Sequence, residues 1–212
     1  MSKKRSAPAH GRSVHRRHHR LRRDRYLVVC GGEVTERQYF EHCAQEFNVD
    51  IRYKPKVYSP SAVAKYAAQL KKDEEAEVGD DAEAYKKVWV VVDVDHFHDH
   101  AEAERICKAN GMRLIISNPC FEVWLIDHIQ RCPESYKLTK DVERYASQLG
   151  ITKGPRNKYI EFSAIEGKTV QALTNASRHN SNRYQRQQLT VNSEQDYAPW
   201  TDMPEVIEEL RK

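Results

Sequence analysis

Apolar positions along this chain follow two rhythms, short unbroken runs and stripes at helical spacing. The segment Lys87–Asp93 reads KVWVVVD, and its continuous apolar run suits a strand buried on both faces in the middle of a parallel sheet. Tyr26–Cys30 and Met112–Ser117 read the same way, and Ile51–Tyr58 is a further strand. Between the runs lie helices. Thr35 with Gln38 forms a capping box opening a helix to about Phe47, with Tyr39, Phe40, Cys43, Ala44 and Phe47 on one stripe. Ser61 caps a helix bearing Val63, Tyr66, Ala67 and Leu70, which dissolves into the charged stretch Lys71–Glu83. A helix from about Ala101 to Asn110 closes at Gly111. Asn118 as N-cap and Pro119 at the first position open another, running to about Arg131.

This alternation predicts an α/β fold with a mostly parallel sheet flanked by helices. Beyond Pro133 the pattern predicts helices near 140–149, 163–178 and 204–211 and no strand. The organisation is therefore a disordered basic arm over 1–24, an α/β core over 25–132 and a helical C-terminal extension over 133–212.

Charge changes this picture at one end. The net charge is only +4, yet residues 1–25 hold ten Lys or Arg against the single acid Asp24, leaving the remainder net acidic. Arg16, Arg17, Arg20, Arg22 and Arg23 make that arm a candidate contact for nucleic-acid phosphates, giving affinity without sequence readout. The alternative is a tail that only aids solubility. No apolar run approaches a membrane span, and the basic N-terminus has no hydrophobic segment behind it. Five cysteines, odd in number and without a CxxC pair, predict buried thiols in a reduced, cytoplasmic protein.

The candidate chemistry lies where strands end. The Lys87 strand runs into Asp93, Asp95 and Asp99. Asp93 and Asp95 point the same way if the strand continues, and oxygen donors of this kind suit Mg²⁺ or Mn²⁺. Ligands of open α/β folds sit at that carboxyl edge. The same edge receives the Gly31-Gly32-Glu33 turn with Glu36, and the Asn118-Pro119 helix start with Glu122. Carboxylates for metal beside a helix N-terminus for phosphate are the equipment of phosphoryl-transfer and nuclease chemistry. Asp99 reads better as a helix-start acid, and packing of Phe121 and Trp124 accounts for much of the motif around Glu122.

Other signals are weaker. His96, His98 and His100 could share one side of an extended segment as zinc ligands, but they fall one residue short of the His-x-His-x-Asp-His pattern, and surface histidines are the better reading. Gly167-Lys168-Thr169 lacks the upstream glycine of a phosphate loop. Lys153, Arg156 and Lys158, then Arg178, Arg183 and Arg186, are interleaved with Tyr159 and Tyr184. Together they read as a second nucleic-acid contact, or singly as solvated helix faces.

Three of these segments, VVCGGEVTERQYF, VWVVVDVDHF and SNPCFEVWLIDHI, resemble the RloB-like family of bacterial defence-associated proteins, and APWTDMPEVIEELRK resembles its C-terminal helix. The resemblance covers roughly residues 25–212. It implies a Toprim-like domain, similar to the nuclease domains of overcoming-lysogenisation-defect proteins, and Mg²⁺- or Mn²⁺-dependent cleavage of DNA or RNA. It also implies an AAA- or ABC-type ATPase partner in phage defence; a homodimer is a further expectation. Asp93 and Asp95 match the pattern as metal ligands, and Glu122 matches its Asn-Pro-Cys-Phe-Glu motif. One position departs. The family carries an acid, as metal ligand or general acid/base, where this chain has Gly31. Glu33 as a substitute metal ligand, or Glu36, could supply the missing group; the alternative is an inactive binding module.

Overall fold

The computed structural model describes residues 23–56, 58–78, 85–180 and 197–212. Four apolar runs form the body of the sheet: β1 (Arg25–Cys30), β2 (Asp50–Pro55), β3 (Lys87–Asp93) and β4 (Arg113–Asn118). They pair in parallel in the order β2-β1-β3-β4. β3 is central, with Val88 to Val92 at most 4 % exposed. Its register sets Val91 against Cys30 of β1 and Ile115 of β4.

The helices are α1 (Thr35–Glu46), α2 (Pro60–Val78), α3 (His100–Ala109), α4 (Glu122–Asp127) and α5 (Thr139–Gln148), then α6 (Phe162–Ile165), α7 (Thr169–Asn180) and α8 (Met203–Leu210). They cover both faces of the sheet. Alternate residues along each strand point to opposite faces. Tyr26, Val28, Cys30, Trp89, Val91 and Ile115 thus share one core with α1, α4, α7 and α8. Leu27, Val29, Val88, Val90, Val92, Leu114 and Ile116 share the other with α2 and α3. The expected mixed α/β architecture with a mostly parallel sheet flanked by helices is the one observed.

Several local expectations are corrected. α2 does not dissolve at Lys71 but continues to Val78. Glu74 explains part of this, since it turns inward to accept hydrogen bonds from Arg25 at 2.8 Å and Arg52 at 2.6 Å. Asn118 is not a helix cap: the Asn118–Pro119 peptide is cis, a turn follows, and α4 begins at Glu122 with six residues. The predicted 163–178 helix is divided into α6 and α7 at Gly167, whose φ of 72° is left-handed.

Strands also exist beyond Pro133. β5 (Thr152–Lys153) and β6 (Tyr159–Ile160) form a short antiparallel hairpin, and β7 (Trp200–Thr201) adds antiparallel to β4. Two-residue strands carry no periodicity to read, so the pattern of apolar residues passes over them. The arm residues Arg16, Arg17, Arg20 and Arg22, and Arg183, Tyr184 and Arg186, lie outside the described residues. Arg23 is described and exposed.

Candidate functional site

The alternation of β3 explains where the site lies. Trp89 and Val91 face the core beneath α1 and α4, and Asp93 is the next residue on that side, at the carboxyl end of the strand. α1 follows the β1 turn closely, so Glu36 in its first turn comes over the same edge and is 8 % exposed. α4 follows β4 through the Pro119 turn and places Glu122, its first residue, there at 1 % exposure. Three separate crossovers thus deliver Glu36, Asp93 and Glu122 to one place.

Their charges act on one another. Burial pushes Glu36 up to about 7, with the charge of Glu122 adding to the effect. Burial likewise holds Asp93 well above the carboxylate range, and Glu36 and then Glu122 reinforce it. Like charges sharing a desolvated site hold protons more tightly for this reason.

A partly buried cation, Lys158, answers these acids. Lys158 Nζ donates to Glu122 Oε1 at 3.1 Å and to Glu143 Oε1 at 2.6 Å. Burial pulls its proton affinity down, but the two carboxylates outweigh this and hold it above the ordinary lysine value. The lysine is brought there by the loop between β5 and β6, which is tied to α1. Thr35 Oγ1 donates to the Lys158 carbonyl at 3.2 Å, and Gln38 Nε2 donates to it at 3.0 Å. Gln38 Oε1 in turn accepts from the Ile160 N–H at 3.2 Å. Thr35 and Gln38 do mark a helix start, but they are used as tertiary ties: no side chain caps α1, and Thr35 Oγ1 also reaches Glu122 Oε1 at 3.4 Å.

A cavity of ≈ 690 Å³ opens at this edge, lined among others by Glu33, Glu36, Asp93, Asp95, Arg156 and Lys158. Glu33 is on its wall but exposed. Asp95 is there by a route other than a continued strand. β3 stops at Asp93, Asp95 adopts a φ of 45°, and its Oδ1 accepts from Thr139 Oγ1 at 3.0 Å. Arg156 is exposed and left-handed at φ 55°. Lys153 is exposed and paired with Glu161.

The histidines do not converge. His100 is fully buried, with Nε2 at 3.0 Å from the Asp93 carbonyl, whereas His96 and His98 are exposed. Nor is the α4 start a ready phosphate site, because the Val123 and Trp124 N–H groups already donate to Cys120 and Phe121. The five cysteines are free and buried.

Glu143 and the tie through Gln38 were not singled out as site features from the sequence. The Thr35-x-x-Gln38 pattern was the available signal, but it reads as local capping. Glu143 carries none, being one acid on an amphipathic helix.

The donor chemistry fits a hard divalent cation. Glu36, Asp93 and Glu122 supply only oxygen, and Glu122 Oε2 is buried with no hydrogen-bonding partner. As these side chains stand, no group of three or more His, Cys, Asp or Glu among the described residues is spaced to hold a metal ion. Lys158 instead contacts Glu122 directly.

Comparison with known proteins identifies a family. No curated protein matches the chain, and neither does any solved structure. No helix among the described residues is long and apolar enough to cross a membrane. A family model described as RloB-like protein matches residues 26–210, nearly the whole described body of the molecule, and the chain belongs to that family.

Proposed function

We propose that this protein is a Toprim-like nuclease, dependent on Mg²⁺ or Mn²⁺, that hydrolyses phosphodiester bonds of DNA or RNA, tRNA included. Its setting in this reading is anti-phage defence with an AAA- or ABC-type ATPase, a context that rests on the family likeness. The observation that carries the chemistry is the meeting of Glu36, Asp93 and Glu122 at the carboxyl edge of a parallel sheet, where burial and mutual repulsion raise the proton affinity of the first two. Such a cluster is short of positive charge, and a hard cation relieves it.

When bound, the metal would polarise a phosphoryl oxygen and acidify an attacking water. Asp93 and Glu122 would hold it, with Asp95 and Glu33 on the cavity wall as further oxygen donors. Glu36, whose proton affinity lies near neutrality, is suited to take the water's proton. Lys158 fixes the orientation of Glu122, and exposed Arg156 is available to a phosphate.

The test is cleavage of labelled DNA, RNA and tRNA by the full chain in Mg²⁺ and Mn²⁺, with and without the ATPase. Cleavage should vanish in Asp93→Asn. If every substrate survives in both metals with the ATPase present, the reading is wrong.

A second reading is an inactive nucleic-acid- or ATPase-binding module. Gly31, where the likeness implies an acid, favours it. Gain of cleavage in Gly31→Glu from an inactive parent would identify a site disabled only there, while an active parent supports the first reading.

A further inference from the structure

The described residues expose five large apolar side chains: Val34, Tyr58, Leu138, Tyr159 and Val170. Three of them, Val34, Tyr58 and Tyr159, line the cavity that holds Glu36 and Asp93. Scattered exposed apolar residues are ordinary, but their concentration around one concave site is the mark of a ligand surface.

Both rings are held on one side and open over much of their surface, Tyr58 being 61 % and Tyr159 48 % exposed. Tyr159 packs on Gly154 so closely that a Cβ there would stand 2.9 Å from the ring. Tyr58 has the Lys56 ammonium 4.4 Å from its ring centroid, and the same ammonium lies 5.0 Å from the ring of Tyr66. Lys56 thus puts a cation beside Tyr58, and the exposed Arg156 lines the same cavity as Tyr159. Glu36 and Glu122 are buried acids and Glu33 is an exposed one, whereas Tyr58, Tyr159 and Arg156 give the exposed wall its aromatic and cationic groups.

We propose that this cavity takes single-stranded nucleic acid, with one unstacked base on Tyr159, another on Tyr58, and adjoining phosphates held by Arg156 and Lys56. The proposal rests on the nuclease reading and adds the class of substrate. An aromatic ring accepts the face of any base, but only a base free of its neighbours can present that face. A duplex keeps its bases stacked, so the two rings gain nothing from it. The cavity, at ≈ 690 Å³, is also within the range of about 300–1,000 Å³ that encloses small organic ligands.

Binding of fluorescein-labelled single strands of DNA and RNA, and of the matching duplexes, is read by anisotropy on the full chain in EDTA. Salt of ~0.3 M screens phosphate contacts by the basic arm. Single strands are expected to bind roughly tenfold or more tighter than duplex. Tyr159→Ala and Tyr58→Ala should each lose about tenfold on single strands while leaving duplex binding unchanged, and the phenylalanine variants should retain wild-type affinity. No single-strand binding, equal affinity for both forms, or alanine variants that bind like wild type would overturn the proposal. Cleavage is not read here, so a protein that binds in this way but never cuts would defeat the nuclease reading separately.

Discussion

Lys158 brings its ammonium to 3.1 Å from Glu122 Oε1, although the two residues are 36 apart in sequence, one on the loop between β5 and β6 and the other at the start of α4. A lysine carried by a loop tied to α1 therefore supplies positive charge to a site otherwise built from acids. A divalent cation bound by the same carboxylates would compete with it or relieve it.

Lys158→Met keeps much of the apolar stem but removes the charge. The metal-free variant should lose about 1–3 kcal/mol, less than a fully buried pair because the lysine side chain is partly exposed. Urea denaturation with and without Mg²⁺ checks this. Mg²⁺ should stabilise the variant more than wild type, and an equal effect on both would show that the lysine and the cation act independently.

Gln38→Leu removes the tie between α1 and the hairpin. The side chain donates to the Val34 and Lys158 carbonyls and accepts from the Ile160 amide. Loss of these bonds, of which those to Lys158 and Ile160 are partly buried, should cost about 1–3 kcal/mol. Hydrogen exchange should accelerate at Ile160, and an amide protected as in wild type would show that the hairpin is held by other contacts.

The sheet was legible because Val88–Val92 and its neighbours are unbroken apolar runs with one structural outlet. Asp93 was legible for the same reason: an acid ending such a run has to emerge at the sheet edge. Asp95 was harder to place, because a positive φ breaks the alternation that would align it with Asp93. Lys158 and Glu143 could be assigned no partner from sequence, since the loop that brings Lys158 in joins two-residue strands without periodicity. Thr35 and Gln38 gave a local signal whose tertiary use depends on the hairpin docking above them. Asn118-Pro119 reads as a helix start, but the structure makes a cis peptide and a turn there, with the helix beginning only at Glu122.

Adjacent glycines in the β1 turn should respond oppositely to substitution. A Cβ at Gly31 would meet only the Val91 carbonyl oxygen at 3.9 Å, whereas one at Gly32 would fall 2.0 Å from Glu36 Oε1. Gly31→Glu should therefore fold with near-wild-type stability and raise cleavage. Gly32→Ala should displace the Glu36 carboxylate and lower cleavage at least tenfold. Parallel thermal melts and cleavage rates test the pair, and indistinguishable behaviour of the two variants would contradict the geometry.

Acid sensitivity should trace in part to His128. Burial pulls it down to about 4, while its Nδ1 lies 2.9 Å from the Trp124 carbonyl. The unfolded chain's histidine titrates near ~6.5, so between those values the unfolded state binds more protons. The stabilisation from keeping His128 neutral is complete above about pH 6.5 and is lost as pH falls toward 4, by roughly 3 kcal/mol at most. His128→Gln should flatten the stability profile across that window, and an unchanged slope would assign the acid sensitivity to other groups.

The central claim is that Asp93 and Glu122, with Glu36 facing them, form one oxygen site for a divalent cation. Mn²⁺ binding to the full chain, followed by electron paramagnetic resonance, measures this directly in wild type, Asp93→Asn and Glu122→Gln. The account predicts a bound Mn²⁺ in wild type, displaced by excess Mg²⁺, and its loss in both variants. A wild-type protein that binds no Mn²⁺, or variants that bind it with undiminished affinity, would contradict it.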